Sequence, residues 1–273
     1  MPEGPEIKHA ADEIARVLVG QGCNNIAFGL ARLNTHIKHL KGYNIDYVKP
    51  KAKALLIGFS SGYVIYSHNQ LYGKWVCVER GQTFESNRQL RIKIETDKGE
   101  ARLYSASDID VLHSSELGSH SFLAKLGPDL LDDDTTIETV LTRLKESRFS
   151  KRRLANLLLD QSFLAGTGNY LRSEVLFSVG IHPFKKLGEL SDDKRHALAN
   201  ALLSITRRSY ETNGICVSED IKRSLQASRD EFEYYRFAVF GQAQRPCINC
   251  KTPVEKTDMA GRRLYLCPTC QHA

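Results

Sequence analysis

No apolar run in this 273-residue sequence approaches the roughly 18–20 residues that cross a bilayer. The start offers no basic, then apolar leader either. Met1 to Glu13 carries Glu3, Glu6, Asp12 and Glu13, the wrong composition for a secretory signal. A cytoplasmic protein with no membrane partner is therefore expected. Cysteine is sparse outside the last segment: of seven in all, Cys23, Cys77 and Cys216 are scattered. That pattern argues against a disulfide framework and for small thiols in a reducing compartment. Strong charge of one sign is missing too. The 38 Lys and Arg against 32 Asp and Glu leave +6, which suits a polyanionic partner without identifying one. Internal repeats are absent. Hydrophobic residues at 41 % exclude wholesale disorder, and the length suits more than one domain.

The apolar pattern changes twice along the chain. From Glu3 to Gly20, Ile7, Ala10, Ala11, Ile14, Val17 and Leu18 recur at helical spacing, and Gly20 can end the helix. From about Asn24 to Ser105 short apolar stretches alternate with turns. Ala54–Phe59 and Tyr63–Ser67 flank Ser61-Gly62, and Leu90–Thr96 and Ala101–Tyr104 flank Asp97-Lys98-Gly99. Successive hairpins of this kind predict an antiparallel sandwich or barrel. Helical periodicity returns after Gly127-Pro128, in Ile137–Leu144, Leu154–Gln161, Tyr170–Val179 and Lys194–Tyr210. Gly214 to Arg236 is polar, charged and weakly periodic, which predicts a mobile loop. The fold class expected is α+β, with segments 1–128, 129–236 and 237–273.

Cys247-x-x-Cys250 and Cys267-x-x-Cys270 are separated by sixteen residues. Each C-x-x-C turn aims two thiolates at one point, and a hairpin of this length brings the pairs together around one zinc ion. Four sulfurs leave no position for water, so the zinc is expected to be structural and to supply folding free energy. At the other end, the chain reads Met1-Pro2-Glu3-Gly4-Pro5-Glu6. Removal of Met1 would leave a secondary amine on Pro2, with a pKa of about 7.7–8.0 for an α-amino group. Such an amine can attack a sugar C1′, expel a base and form an iminium ion that promotes strand-breaking eliminations. Glu3 could protonate the sugar ring oxygen. Read alone, the same residues are also an ordinary helix start, with Pro in the first turn and acids near the N-terminus.

The opening Pro2-Glu3-Gly4-Pro5-Glu6 resembles that of the family containing formamidopyrimidine-DNA glycosylase and endonuclease VIII. The resemblance continues at Lys51–Leu56, at Ser67-His68-Asn69-Gln70-Leu71-Tyr72-Gly73, and from Leu159 through Gly166-Thr167-Gly168-Asn169 to Arg172. It ends in the four-cysteine hairpin. The stretches His68–Gly73 and Tyr104–Ile109 are most similar to the endonuclease VIII branch. The resemblance implies an N-terminal β-sandwich with flanking helices, then a helical domain with a helix-two-turn-helix motif carrying the zinc hairpin, with DNA in the cleft between domains.

It also implies residue roles. Pro2 is the nucleophile and Glu3 the acid. Lys53 contacts phosphate near the lesion and assists chemistry, where otherwise it would be a solvated lysine at a strand end. Gln70, Leu71 and Tyr72 fill the gap left by an extruded base; periodicity alone would make them a turn joining the core. Asn169 donates to phosphate, or caps its helix. Lys125 stands where the family has a basic residue, usually Arg, and lacks the guanidinium fork. Arg262, five residues before Cys267, is the remaining catalytic residue implied: it grips the lesion phosphate and aids the second elimination, with Arg263 beside it as a rival. Apart from the resemblance, the run Arg143–Arg153 has six Lys or Arg against one acid; such runs are usually solvated faces, and this one can add to the electrostatic footprint on DNA. The loop 214–236 is longer than the endonuclease VIII branch leads one to expect, and in the formamidopyrimidine branch a loop here helps hold an oxidised purine. The activity implied is a bifunctional glycosylase and abasic-site lyase of base excision repair, working as a monomer on damaged double-stranded DNA at the nucleoid. It would act mainly on oxidised pyrimidines, by β,δ-elimination. The alternatives are oxidised purines as substrate, or a zinc-ribbon protein that binds damage without cutting.

Overall fold

The computed structural model describes residues 2–228 and 230–272. The chain forms two compact units, Met1–Lys125 and Leu126–Ala273. Among the described residues no helix is long and apolar enough to cross a membrane.

The first unit begins with helix α1, Gly4–Leu18. Its buried residues Ile7, Ala11, Ile14 and Leu18 follow the i, i+3/i+4 rule and make one apolar stripe. Pro5 sits in the first turn, where its missing N–H costs nothing. The Glu6 carboxylate accepts the Glu3 backbone N–H at 2.9 Å, which fixes the entry into the helix. Eight strands follow: β1 Asn25–Phe28, β2 Ile45–Lys51, β3 Ala54–Phe59, β4 Tyr63–His68, β5 Lys74–Glu79, β6 Leu90–Glu95, β7 Gly99–Tyr104 and β8 Asp108–His113. They make two antiparallel four-stranded sheets, ordered β1-β6-β7-β5 and β2-β3-β4-β8. Ile26, Ile92, Ile94 and Leu103 from one sheet meet Ile45, Leu55, Ile57 and Ile65 from the other, together with the α1 stripe, in a single core. This is the expected β-sandwich. All six residues of β3 are buried. Its second face is covered by Leu117, Phe122 and Leu123 of the segment after β8, so the strand reads as a continuous apolar run rather than an alternation.

The second unit contains α2 Ile137–Lys145, α3 Leu154–Leu157, α4 Asn169–Ser178, α5 Asp192–Glu211, α6 Glu219–Gln226 and α7 Phe232–Tyr235, then strands β9 Glu255–Met259 and β10 Arg262–Leu266. Helix α4 is central. Its residues Tyr170 to Phe177 are all buried, so it has no polar face to reveal a period. Two expectations need correction here. The helix expected over Leu154–Gln161 is a single turn, because Asp160 folds the chain onto itself by accepting from Ser162 N and Oγ at 2.9 and 2.6 Å. The segment 214–236, expected to be a loop, carries two helices, α6 and α7. Ser218 caps α6, Glu219 and Asp220 occupy its first turn, and Ile221 and Leu225 face inward. Arg236 ties the ends of the segment, donating from Nε to the Gly214 carbonyl at 2.9 Å, while Cys216 N donates to the Arg236 carbonyl at 2.9 Å. Its guanidinium also stacks on Phe237, 4.3 Å from the ring centre.

Candidate active site and metal centre

Pro2 precedes α1 and lines an open concavity of about 330 Å³ with Glu6, Ala10, Asn69, Leu71, Tyr72 and Arg88. Met1, whose removal the nucleophile reading requires, lies outside the described residues. Glu3 is not on this lining; it is buried, with 4 % of its surface exposed. Lys53 is also absent from the lining. It occupies the two-residue turn between β2 and β3 after Ala52, whose φ is +56°, and is 9 % exposed. Its charge bears on His68, where it and above all burial hold the imidazole below its ordinary value, opposed by Asp108.

The stretch Asn69–Gly73 turns sharply out of β4. Gly73 N donates to the Asn69 carbonyl at 2.7 Å. A Cβ on Gly73 would lie 2.4 Å from that same oxygen, so only glycine closes the turn. Gln70 has φ +52°, a left-handed conformation. Three groups hold the turn: His68 Nδ1 accepts the Gln70 N–H at 2.9 Å, Gln70 Oε1 accepts from Ser107 Oγ at 3.0 Å, and Arg88 donates to the Tyr72 carbonyl at 2.7 Å. The side chains so presented are apolar and in solvent: Leu71 is 55 % and Tyr72 68 % exposed. They do not join the core, so the plain core-turn reading of these residues fails. Lys125, itself exposed, ends the first unit in the 3-10 turn Leu123–Lys125.

In the second unit, Gly168 and not Asn169 is the N-cap of α4; Asn169 is its first residue. The loop before it is held by the Gln161 side chain, which donates to the Thr167 carbonyl and accepts from Gly166 N, both at 3.0 Å. The Thr167 hydroxyl donates to the Leu158 carbonyl. The α4 amides therefore open from a fixed loop, a geometry suited to an anion.

The β9–β10 hairpin turns at Ala260 and Gly261, with φ of +51° and +71°, the backbone that a two-residue hairpin loop demands. Arg262 and Arg263 follow, both exposed. Across the ladder Arg262 faces Met259, whereas Arg263 faces Asp258. The Arg172 guanidinium, wholly buried, donates to the carbonyls of Ala155, Arg262 and Arg263 at 2.7, 3.2 and 2.9 Å. Two residues on, the Glu174 carboxylate accepts the backbone N–H groups of Ala238, Val239 and Phe240 at 2.8, 2.9 and 2.8 Å. Helix α4 thus anchors both the base and the tip of the hairpin.

The Sγ atoms of Cys247, Cys250, Cys267 and Cys270 all lie within 4.8 Å of one another. The Cys247–Cys270 and Cys250–Cys267 separations are 3.8 and 3.4 Å. A tetrahedron of thiolates about 2.3 Å from zinc has sulfur–sulfur edges of about 3.8 Å. Matching turns place the two pairs: Lys251 N donates to the Cys247 carbonyl and Gln271 N to the Cys267 carbonyl, each at 3.0 Å. Hydrogen bonds from the Thr252 hydroxyl and backbone pull the Cys250 thiol down to about 6, while burial pushes Cys267 and Cys270 up. Four thiolates this close cannot all ionise without a cation between them, so the donor set fits a divalent metal. The outlying thiols are different. Burial pushes Cys23 up to about 12 and Cys77 to about 11, and both stay protonated.

His68, Arg88, Ser107 and Glu174 were given no role by sequence. Arg172 and Glu174 left one trace, the two charges in a helix that is otherwise uncharged. The contacts to Arg88 and Ser107 span sixteen and thirty-seven residues and leave no local pattern.

Residues 1–107 match the model of the formamidopyrimidine-DNA glycosylase N-terminal domain, and residues 126–220 that of its H2TH domain. The chain is 42 % identical over 272 residues to endonuclease 8 from Klebsiella pneumoniae subsp. pneumoniae and to endonuclease 8 from Escherichia coli strain K12, covering each pair in full. Two solved structures share the fold. One is Lactococcus lactis Fpg (MutM) with DNA containing an oxidised pyrimidine, at TM-score 0.81 and 22 % identity. The other is MutM with DNA containing carbocyclic 8-oxo-G, at 0.82 and 22 %. Both cover this chain and their own in full.

Proposed function

Because the chain belongs to the formamidopyrimidine-DNA glycosylase and endonuclease 8 family, a family of DNA glycosylases and abasic-site lyases, we propose that it excises oxidised bases and cuts the strand through the Pro2 amine. The observation that carries this reading is the seating of Pro2 on the rim of a concavity that also bears exposed Leu71 and Tyr72. A nucleophile and a pair of unburied apolar side chains belong together when a nucleotide must leave the stack before it can react.

With Met1 removed, the Pro2 nitrogen attacks C1′ of the extruded nucleotide. The N–C1′ bond forms as the C1′–base bond breaks, the proton lost from the amine leaves with the base, and Glu3 delivers its own proton to the sugar ring oxygen as the ring opens. The resulting iminium acidifies C2′, so β-elimination and then δ-elimination release the flanking phosphates. Lys53 contacts a phosphate near the lesion and assists this chemistry. Gln70, Leu71 and Tyr72 occupy the emptied stack. Asn169, at the start of α4, and Arg262, on the hairpin tip, hold phosphate on the second unit, and Lys125 adds a weaker contact. Zinc, bound by the four cysteines, keeps the hairpin folded and takes no part in the reaction. The working form is a cytoplasmic monomer on damaged duplex DNA.

Oxidised pyrimidines are the proposed main substrates. Single-turnover excision from a thymine glycol duplex and an 8-oxoguanine duplex, measured side by side, should favour the pyrimidine. A clear preference for the purine would overturn the substrate assignment while leaving the chemistry intact. Glu3→Gln should slow base removal far more than cleavage at a pre-formed abasic site; equal losses would remove Glu3 from its role as the acid.

A further inference from the structure

The turn Asn69–Gly73 has to hold an unfavourable backbone against the resistance of a stacked duplex. Gln70 is at φ +52°, where a non-glycine residue pays a conformational penalty. The contact at that residue's own amide comes from His68, whose Nδ1 accepts the N–H at 2.9 Å. An imidazole can accept there only if Nδ1 carries no proton, which requires the neutral ring with hydrogen on Nε2. The ring is half-buried, with the Phe122 ring edge-on at 5.5 Å. His68 pairs with Ala54 of β3 and with Asp108 of β8. The charged groups acting on it are Asp108 from β8 and Lys53 from the β2–β3 turn, and Phe122 brings no charge from the segment after β8.

We propose that His68 is a positioning residue for base extrusion: its neutral imidazole locks the turn that presents Leu71 and Tyr72 to the stack, and protonation at Nδ1 unlocks it. This rests on the reading of Gln70, Leu71 and Tyr72 as the group that enters the stack, and it is independent of the nucleophile. Burial and Lys53 keep the ring below its ordinary 6.5 against the pull of Asp108, so the lock is closed near neutrality and opens only in acid. Asparagine supplies the same acceptor without titrating, since an Asn side-chain oxygen accepts from the amide two residues on.

The main readout of the test needs no chemistry. A duplex carrying a tetrahydrofuran abasic analogue opposite 2-aminopurine is saturated with protein, saturation being checked by anisotropy, and the fluorescence that reports unstacking is followed from pH 8 to pH 5. Wild type should lose signal as the pH falls. His68→Asn should keep it across the range. His68→Ala should be low throughout, with excision from a lesion duplex down about tenfold in kcat and little changed in KM, the scale of one lost hydrogen bond. A wild-type signal that ignores pH, an acid loss that persists in His68→Asn, or full amplitude in His68→Ala overturns the proposal. Melting temperatures of both variants show whether either has simply unfolded. Failure of the Pro2 reading would appear elsewhere, in covalent trapping, and would leave this fluorescence unchanged.

Discussion

Glu174→Gln changes one side-chain oxygen to an amide nitrogen, inside a helix, 3 % exposed. The native carboxylate accepts three backbone N–H groups, Ala238 on Oε2 and Val239 and Phe240 on Oε1. In the better of its two orientations the glutamine keeps the two bonds on Oε1 and turns its NH2 toward the Ala238 N–H. Two donors then face each other without water. An unsatisfied buried polar group costs about 1–3 kcal/mol, and the surviving bonds weaken as the charge is lost. Relief from burying a carboxylate, which pushes the Glu174 carboxyl up against the pull of those donors, offsets part of this. The net expectation is a loss of about 2–4 kcal/mol. For a unit of this size that corresponds to a melting temperature lower by about 4–16 °C. Because the segment 238–240 leads into the cysteine hairpin, the metal should also leave faster. Calorimetry of the second unit's transition and the rate of zinc transfer to a chromogenic chelator measure both. A shift under about 1 °C with unchanged metal release would refute the claim that α4 anchors the hairpin through this carboxylate.

Two further outcomes follow from the same contacts. Metal analysis should find about one zinc per chain, and Cys250→Ser should lower that content and unfold the hairpin, as expected where ligation supplies folding free energy; full activity in a metal-free preparation would contradict a structural zinc. Gly73→Ala pushes a Cβ against the Asn69 carbonyl, so the turn must open at a cost of about 1–3 kcal/mol; duplex excision should fall while the four-cysteine site stays loaded, and an unaltered rate would show that the turn's shape is dispensable.

Local patterns carried much of the architecture. β3 spans Ala54–Phe59 and β4 starts at Tyr63, because Ser61-Gly62 marks the turn between them; Gly62 takes a φ of +82°. The cysteine spacing carried the metal site for a similar reason, since two C-x-x-C turns specify their own geometry. What escaped the sequence was set by contacts between distant residues. α6 is only eight residues long, too few for a clear period among so many charges, and its local signals were confined to its start, the Ser218 cap and the acids Glu219 and Asp220. Leu154–Gln161 has helical composition, but Asp160 and the loop that packs beneath α4 end the helix after one turn. Asn169 is a natural cap by residue type, yet Gly168 takes that place and leaves Asn169 on the first turn. In the candidate site, the resemblance of the chain's opening and of the His68–Gly73 stretch singled out Pro2, Gln70, Leu71 and Tyr72, whereas periodicity would have put Leu71 and Tyr72 in the core rather than in solvent. The groups that hold Tyr72 and Gln70, Arg88 and Ser107, were not singled out, because one long-range hydrogen bond imposes no pattern on its own neighbourhood.

The covalent chemistry is tested most directly by locating the bond itself. Protein incubated with an abasic-site duplex and borohydride is digested, and the cross-linked peptide is sequenced by mass spectrometry. A reduced sugar on the nitrogen of Pro2, in a peptide that lacks Met1, is the predicted result. A sugar on Lys53, or no adduct from protein that begins at Pro2, would contradict it.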